Sequence, residues 1–267
     1  MKRTLTALCL IMLTALVFTS CSSSDNSTPP VTDDTTGGTD DSDNDSSDGT
    51  DDTVEPDGVL RLVRRDLFEV SNGLIRIDSI KYNEDALILS FETDLLGMGS
   101  GEVQVTGFVY EDGKVTRVTR NGTTIATYQY EGDIIVSRLS GGLRTEYAYD
   151  DLGYLMTATT YSGTVVDCID SSEFVDGNRI TWDYSCNGQN FTHTFDSGSS
   201  PFYVIYTKAI NRIFGESINN ITESYELVDD ETITFTNTYD SDGNLIRRQW
   251  SDGAFDYTYE YHYDFVN

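Results

Sequence analysis

Apolar and polar residues alternate along most of the chain beyond residue 58. Between positions 255 and 265 every second residue is aromatic, and the residues between them are polar or charged. The same period of two places Ile180, Trp182 and Tyr184 on one face, with Thr181 and Asp183 on the other. Such alternation predicts antiparallel strands that bury one face of a sheet.

A recurring turn separates these strands. It begins with an aromatic residue, continues through an acidic or Gly-containing turn, and ends with an apolar residue that restarts the alternation. A second turn class, rich in Gly, falls between these repeats, and Gly next to Asn or Asp suits the positive φ of hairpin turns. The first class lies at 110–115, 130–134, 149–155, 174–180 and 239–245, and the second at 121–122, 141–142, 162–163, 187–188 and 252–253.

The repeat length defines the predicted fold. Tyr110, Tyr130 and Tyr149 are 20 and 19 residues apart, which accommodates two strands and two turns per unit. We therefore predict an all-β fold, an antiparallel meander of about 10–14 strands. The pattern leaves a curled sheet and an open or closed barrel as alternatives.

One segment breaks the β pattern. Ile205, Ala209, Ile210 and Ile213 recur at helical spacing, and Gly215 follows where a helix could end. We predict one short helix here, which plugs an end of the curled sheet.

Residues 1–20 have the order of a secretory signal. Lys2 and Arg3 precede an apolar run of about 14 residues, which is shorter than the roughly 20 that a spanning helix needs. The sequence from Phe18 to Cys21 resembles the lipobox of bacterial lipoproteins, although Phe18 stands where Leu is usual. We predict lipidation of Cys21, with cleavage without lipidation as the alternative. Ser22 then implies sorting to the outer membrane.

Residues 21–57 are predicted to form a disordered acidic tether. From Ser22 onward they carry twelve acidic residues and no Lys or Arg, so they cannot bury enough apolar surface to fold. A calcium loop at Asp41, Asp43, Asp45 and Asp48 is the alternative. It lacks the Gly and the closing Glu that such a loop uses.

The remaining residues, 58–267, are long enough for a single β-domain. The whole chain has a net charge of −28, and without the tether and the signal 33 acidic residues face 15 basic ones. A domain charge of about −18 disfavours nucleic acid as a partner.

Cys168 and Cys186 are equidistant from Gly177, the centre of a predicted hairpin turn. An odd loop or a bulge there would place the two cysteines opposite one another, within reach of a disulfide. A two-residue loop without a bulge would offset them, and two small buried thiols are then the alternative. A zinc site lacks clear third and fourth ligands.

Few residues are candidates for chemistry. We expect His193 to be a hydrogen-bonded core residue, His262 to be solvated and Trp182 to be core. Alternation places Trp250 on the same strand face as Ile246 and Arg248, so it is the candidate for an exposed, ligand-facing aromatic. We find no catalytic motif and predict no catalytic residue, metal or cofactor.

Several of these features resemble known families. The Tyr-Asp-x-x-Gly-x-Leu sequences at 149–155 and 239–245 resemble the YD repeat of Rhs-type proteins. With the lipobox and acidic leader, residues 103–267 are similar to Bacteroidota outer-membrane lipoproteins of unknown function. The segment from Pro201 to Ile221 is similar to an insert in that family. The resemblance implies a porin-like fold and a surface location, and it implies no catalytic residues.

Three functions are consistent with the predicted fold and location. The first is a non-enzymatic, membrane-anchored domain that binds extracellular glycan or protein. The second is an accessory that docks an outer-membrane complex through a sheet edge, and the third is a carboxylate-dependent hydrolase. We favour a soluble sheet over a membrane-spanning barrel, because most apparent strands are shorter than the 9–11 residues that spanning requires and are rich in charge.

The lipid anchor can be tested directly. Replacing Cys21 with Ala removes the thiol that would carry the lipid, so we expect incorporation of a labelled fatty-acid analogue and membrane fractionation to be lost. A Cys9→Ala variant is the control, because Cys9 lies within the predicted signal. Unchanged labelling of Cys21→Ala would contradict the lipoprotein prediction.

Overall fold

The computed structural model describes residues 58–96, 103–185 and 188–266. The predicted signal peptide, Cys21, the acidic tether and its alternative calcium loop lie outside the described residues. Cys186 lies outside them as well.

The described part of the chain forms seventeen strands in a single sheet. They are β1 (Val59–Glu69), β2 (Gly73–Tyr82), β3 (Ile88–Leu95), β4 (Val103–Glu111), β5 (Lys114–Arg120), β6 (Thr123–Glu131), β7 (Ile134–Ser140), β8 (Leu143–Tyr149), β9 (Leu155–Ser162), β10 (Val165–Val175), β11 (Asn178–Tyr184), β12 (Gln189–Ser199), β13 (Asn219–Glu226), β14 (Glu231–Thr234), β15 (Thr236–Tyr239), β16 (Leu245–Ser251) and β17 (Asp256–Val266).

The sheet is an antiparallel meander that curls back on itself. Neighbouring strands along the chain pair from β1 to β14, and β1 also pairs with β17. β14 and β15 act as one bent strand, since β14 pairs with β13 and β15 with β16. The result is a nearly closed barrel, so the all-β meander is confirmed. It has more strands than predicted, because residues 58–102 and the short strands of 231–239 carry weak patterns.

Two short helices replace the single predicted helix. They are α1 (Pro201–Ile205) and α2 (Lys208–Phe214). The chain is extended at Tyr206 and Thr207, and the Thr207 side chain accepts a hydrogen bond from the Ile210 amide and so caps α2. Gly215 ends α2 in the left-handed conformation, as predicted.

The predicted turns lie where the sequence places them. Asp112 and Gly113 both have positive φ between β4 and β5, and so do Asn121 and Gly122 between β5 and β6. Two successive positive φ values match the right-handed twist of the flanking strands. These turns therefore fix the hairpin registers from local sequence.

The structure contains a further repeat that the sequence analysis missed. Asp150 Oδ1 accepts hydrogen bonds from the amides two and four residues later, and Asp240 Oδ1 does the same. Asn83 makes the same pair of bonds between β2 and β3. Ala86 occupies the glycine position of this turn with φ 54°. The signal was obscured because Asn83 stands at the position of the first Asp and Ala86 at that of the Gly.

A set of tyrosines joins neighbouring hairpins at the end of the sheet where the first turn class lies. Each tyrosine hydroxyl donates to the backbone carbonyl of an apolar residue in a nearby hairpin, at 2.6–3.0 Å. We call this set the tyrosine ring. The five pairs, donor first, are Tyr82 with Leu62, Tyr110 with Ile88, Tyr130 with Val115, Tyr149 with Ile135, and Tyr263 with Leu245.

The tyrosine ring surrounds the main core. Its carbonyl partners are almost completely buried, and they pack with Ile205, Ile210 and Ile213 from the helices. Burial raises the pKa of Tyr130 to about 12, so its hydroxyl stays protonated and remains a donor. The helices thus plug one end of the barrel, as the sequence predicted. Neither α1 nor α2, the two helices described, has the length or apolar character that crossing a membrane requires.

The turn between β2 and β3, with Ala86 at the glycine position, gives a stability prediction. A left-handed conformation costs an L-residue about 1–2 kcal/mol, and the greater unfolded-state freedom of glycine offsets part of that cost. We expect Ala86→Gly to raise the free energy of unfolding by about 0.5–1 kcal/mol. Chemical denaturation measures the change.

Gly243→Ala is the matched control, because Gly243 holds the same turn position with φ 86° and open space around it. It should destabilise the protein by a similar amount. A loss of stability in Ala86→Gly would show that the two turns are not equivalent.

Candidate functional site

The two ends of the barrel interior differ. The helix end contains the plug, the tyrosine ring and the first turn class. The opposite end, which we call the open end, contains the second turn class. Between them lies a layer of polar side chains.

Asp78 is the centre of one buried ion cluster in this layer. Its carboxylate accepts two bonds from Arg65, at 3.0 and 2.7 Å, and is 2.8 Å from Arg76. Thr93 donates a further bond at 2.8 Å. Burial alone would raise the pKa of Asp78, but the two guanidinium groups outweigh it and lower that pKa. Asp78 is therefore a saturated structural carboxylate.

Arg65 connects this cluster to the plug. Its guanidinium lies 4.8 Å from the ring centroid of Phe202 in α1 and 4.3 Å from that of Tyr259 in β17. Both distances fit cation–π contact. The ion cluster therefore helps to fix the helices against the sheet.

A second polar network supports the bent strand. Arg248 donates to Asn237 Oδ1 and Asn220 Oδ1, each at 2.9 Å, and Asp196 accepts from Asn237 and Tyr239. Most donors and acceptors here are satisfied within the protein, so we assign this network a structural role.

The inner wall formed by β11 and β12 carries an aromatic row. Trp182 stacks on Tyr184 at 5.0 Å and contacts Phe191 at 5.8 Å, and Phe191 stacks on His193 at 6.1 Å. Trp182 and Tyr184 are half-buried although they face inward, so water reaches this wall from the open end. Trp182 thus faces the interior, as predicted, but it is only half-buried.

Arg179 ends this row on the side of the helices. Its guanidinium lies 4.4 Å from the ring centroid of Trp182, and its Nη1 reaches the Phe214 carbonyl only at 3.5 Å. Among the residues described, Arg179 Nε has no hydrogen-bond partner, and the residue is 9% exposed. Burial lowers the pKa of Arg179 to about 10, partly opposed by the charge of Glu216.

His193 is buried, as predicted, but it is not hydrogen-bonded. It is 7% exposed, and neither ring nitrogen has a partner within the described part of the chain. Burial and the charge of Arg179 lower the pKa of His193 to about 3. The imidazole is therefore neutral at pH 7. By contrast, His262 lies on the outer face as predicted, 3.3 Å from Asp66.

Arg138 faces inward from β7, opposite Tyr128 and Thr145 on the neighbouring strands. Burial raises the pKa values of Tyr147 and Tyr184, and the charge of Asp170, which pairs with Tyr184 in register, raises that of Tyr184 further. The charge of Arg138 acts in the opposite direction on both tyrosines. Arg138 makes no ion pair with any described residue, and its Nε has no hydrogen-bond partner there. Sequence analysis missed it, because alternation alone does not single out an inward arginine.

The structure places Trp250 in the interior, so the prediction of an exposed Trp250 is wrong. It is 5% exposed and packs with Leu67 and Ile233. The pairing of β15 with β16 has an irregularity between the pair of Thr238 with Arg247 and the pair of Tyr239 with Leu245, which leaves Ile246 without a partner and breaks the alternation there. Parity counted from Ile246 therefore gave the wrong face. Arg248 points inward with Trp250.

Cys168 is disulfide-bonded. The turn between β10 and β11 has the bulge that the sequence argument required, and it aligns Asp170 with Tyr184. The pairing of Cys168 with Cys186 stays a prediction.

A groove of about 520 Å³ lies at the helix end, between the turns of β4–β5 and β6–β7 and helix α2. Lys114 in this groove already contacts Asp133 at 3.0 Å and the Gly132 carbonyl at 2.7 Å. In the described ranges, His, Cys, Asp and Glu form no group of three placed to hold a metal. The inner wall at the open end is therefore the better candidate site.

Comparisons with known proteins support the fold. No protein-family model matches the chain, and no curated protein does. A porin-like protein from Bacteroides uniformis is similar over 76% of this chain and 98% of its own, at 16% identity and a TM-score of 0.53. A porin-like protein from Bacteroides vulgatus matches 77% of this chain and 99% of its own, at 10% identity and a TM-score of 0.36.

A Tc holotoxin pore from Photorhabdus luminescens is a weaker match. It covers 72% of this chain and 10% of its own, at 15% identity and a TM-score of 0.28. The similarity to the Bacteroides uniformis protein therefore supports the fold alone, because the sequence identity is low. The expected porin-like fold is confirmed.

The ion cluster gives a stability prediction. Asp78→Asn leaves two buried arginines without their carboxylate, so we expect a loss of about 3–5 kcal/mol in the free energy of unfolding. Because the folded pKa of Asp78 is lowered, its contribution is complete above pH ~4 and is lost as pH falls towards the folded pKa. Denaturant titrations at several pH values measure both effects.

Glu92→Gln is the control with the same change in charge, at the exposed pair of Lys81 and Glu92. It should cost less than about 1 kcal/mol. Equal losses in the two variants would contradict the central role of Asp78.

Proposed function

We propose that the chain is an outer-membrane lipoprotein, anchored through Cys21, whose open end binds a saccharide outside the cell without catalysis. The single observation that carries this proposal is the half-buried inner wall of Trp182, Tyr184 and Arg138. Aromatic rings and hydroxyl groups lining a concave, partly wet surface suit a polyhydroxylated ligand.

The position of the start of β1 supports a ligand site that faces away from the membrane. β1 begins at Val59 at the helix end, so the predicted tether would join the domain beside the plug. The open end then lies on the far side of the domain from the attachment point. A ligand could reach it without passing the tether.

The packed interior argues against a channel. The helices and the tyrosine ring fill one end with apolar side chains, whereas a pore requires a water-filled lumen along its whole length. The outer face also carries charged pairs, such as Lys81 with Glu92 and Arg144 with Glu146. We therefore propose a filled β-domain that stands beside the membrane.

The interior also offers little to a hydrolase. Asp78 is saturated by Arg65, Arg76 and Thr93, and His193 is neutral and lacks a hydroxyl to activate. An accessory that docks through a sheet edge is disfavoured too. Among the described strands, pairing continues around the sheet from β1 to β17, and the bent strand is shared between β13 and β16.

Saccharide binding can be tested with the full chain in detergent on an oligosaccharide panel. Tyr184→Ala removes a ring from the inner wall, so we expect about tenfold weaker binding, equivalent to ~1.4 kcal/mol. Calorimetric titration of the best panel member measures this.

Tyr161→Ala is the matched control, because it removes the same side chain from the outer face, where Tyr161 lies beneath Arg144 and away from the inner wall. It should bind as the wild type does. Absence of any binder, or equal losses in both variants, would overturn the proposal.

A further inference from the structure

We propose that the ligand of the open end is a short anionic saccharide whose carboxylate is held by Arg138, with Arg179, buried on the helix side of the same wall, as a second positive charge behind it. This inference rests on the proposed function and names the chemical class of its ligand. It is carried by cations that the protein itself leaves unpaired.

Unpaired interior arginines are unexpected in this chain. It has 45 acidic residues against 17 basic ones, so most cations could find a carboxylate. Arg65 and Arg76 do so at Asp78. Arg138 and Arg179 face the same interior and make no ion pair within the described ranges, although an unpaired buried charge is costly. An anionic ligand would compensate that cost.

The surroundings of Arg138 suit a sugar acid. Tyr128 and Thr145 flank it on the adjacent strands, and its charge acts on Tyr147 and Tyr184. Asp170 also acts on Tyr184, with which it pairs in register, so a carboxylate lies on the far side of that ring. Thr145 shares a hydrogen bond of 3.1 Å with Thr160 on the same inner face. A guanidinium binds a carboxylate in a bidentate manner, and the hydroxyl of the half-buried Tyr184 can bond to a hydroxyl of the sugar.

Arg179 and His193 lie deeper in the interior, on the helix side of the inner wall. Trp182 and Tyr184 connect Arg179 to the neighbourhood of Arg138 through one continuous aromatic stack. The neutral imidazole of His193 offers one donor and one acceptor, both unused within the described residues. Glu216 is the carboxyl group that acts on Arg179, but the two form no ion pair within 4.0 Å. The cation is therefore only partly compensated.

The charge of the whole protein limits the ligand further. A chain with a net charge of −28 repels long polyanions at a distance. A short acidic saccharide, or the acidic terminus of a longer neutral one, is attracted by Arg138 and carries too few charges to be strongly repelled by the acidic surface. We therefore expect added salt to change affinity less than it does for a polyanion binder.

The experiment compares three probes on the full chain in detergent. They are oligosaccharides of galacturonic acid, the same oligosaccharides with every carboxyl methyl-esterified, and a sulfated neutral oligosaccharide of equal length. We expect the free acid to bind about tenfold or more tighter than its ester. Arg138→Gln should remove that preference while leaving the weak binding of the ester unchanged.

Arg144→Gln is the matched control, because Arg144 carries the same charge on the outer face of the adjacent strand and pairs with Glu146. It should keep the preference for the acid. Since Arg138 has no partner to lose in the described structure, Arg138→Gln should also keep wild-type thermal stability, which separates a binding defect from misfolding.

The outcomes are distinct. Equal binding of acid and ester would overturn the anionic-ligand inference while the proposed saccharide function stood. Tighter binding of the sulfated probe than of the acid would overturn the assignment of a carboxylate. No binding of any saccharide would overturn both the inference and the proposed function.

Discussion

The hydrogen bond from a tyrosine hydroxyl to the backbone carbonyl of a nearby hairpin is the interaction on which the rest of this structure depends. A net contribution of about 1 kcal/mol each is modest, but the five bonds are repeated around one end of the sheet. They tie each hairpin to its neighbour at the helix end. The sheet curls until β1 pairs with β17.

The interruption of this pattern matters as much as its repetition. Phe174 has no hydroxyl and stacks on Tyr154 at 5.2 Å, and the hydroxyl of Tyr239 bonds to Asp196 instead of a carbonyl. The insert with α1 and α2 enters the barrel in this sector. Gly198 lies so close to the Tyr239 ring that a Cβ atom would be 2.3 Å from it, which explains a glycine there. The helices then fill the helix end only.

A barrel filled from one end has an interior that changes character along its length. Apolar packing near the plug, where Arg179 is buried, gives way to the Asp78 cluster and then to the inner wall around Arg138. The Asp78 cluster satisfies its own carboxylate and contributes to stability. The inner wall leaves Arg138 without an ion pair among the described residues, and its half-buried rings lie where water reaches. We therefore propose that the ligand binds there.

The sequence predicted the features that depend on local chemistry. Gly and Asp turns, alternating strands and the end of α2 at Gly215 follow from backbone preferences, so they could be read without a structure. Features that depend on register could not. The irregularity at Ile246 reversed the face expected for Trp250, and Ala86 concealed a turn whose hydrogen bonds match those of the turn at Gly243. The candidate site was missed for the same reason, because only the closed sheet shows that Arg138 and Arg179 face one interior.

The central claim is that a strongly acidic protein holds a water-reachable, cationic interior at its open end. The chain has two tryptophans, so Trp250→Phe leaves Trp182 beside Arg179 as the single reporter. Fluorescence quenching by iodide and by caesium ions measures the local charge that Trp182 experiences. Our account predicts stronger quenching by iodide than by caesium, despite the net charge of −28. Stronger quenching by caesium, or no quenching by either ion, would contradict it.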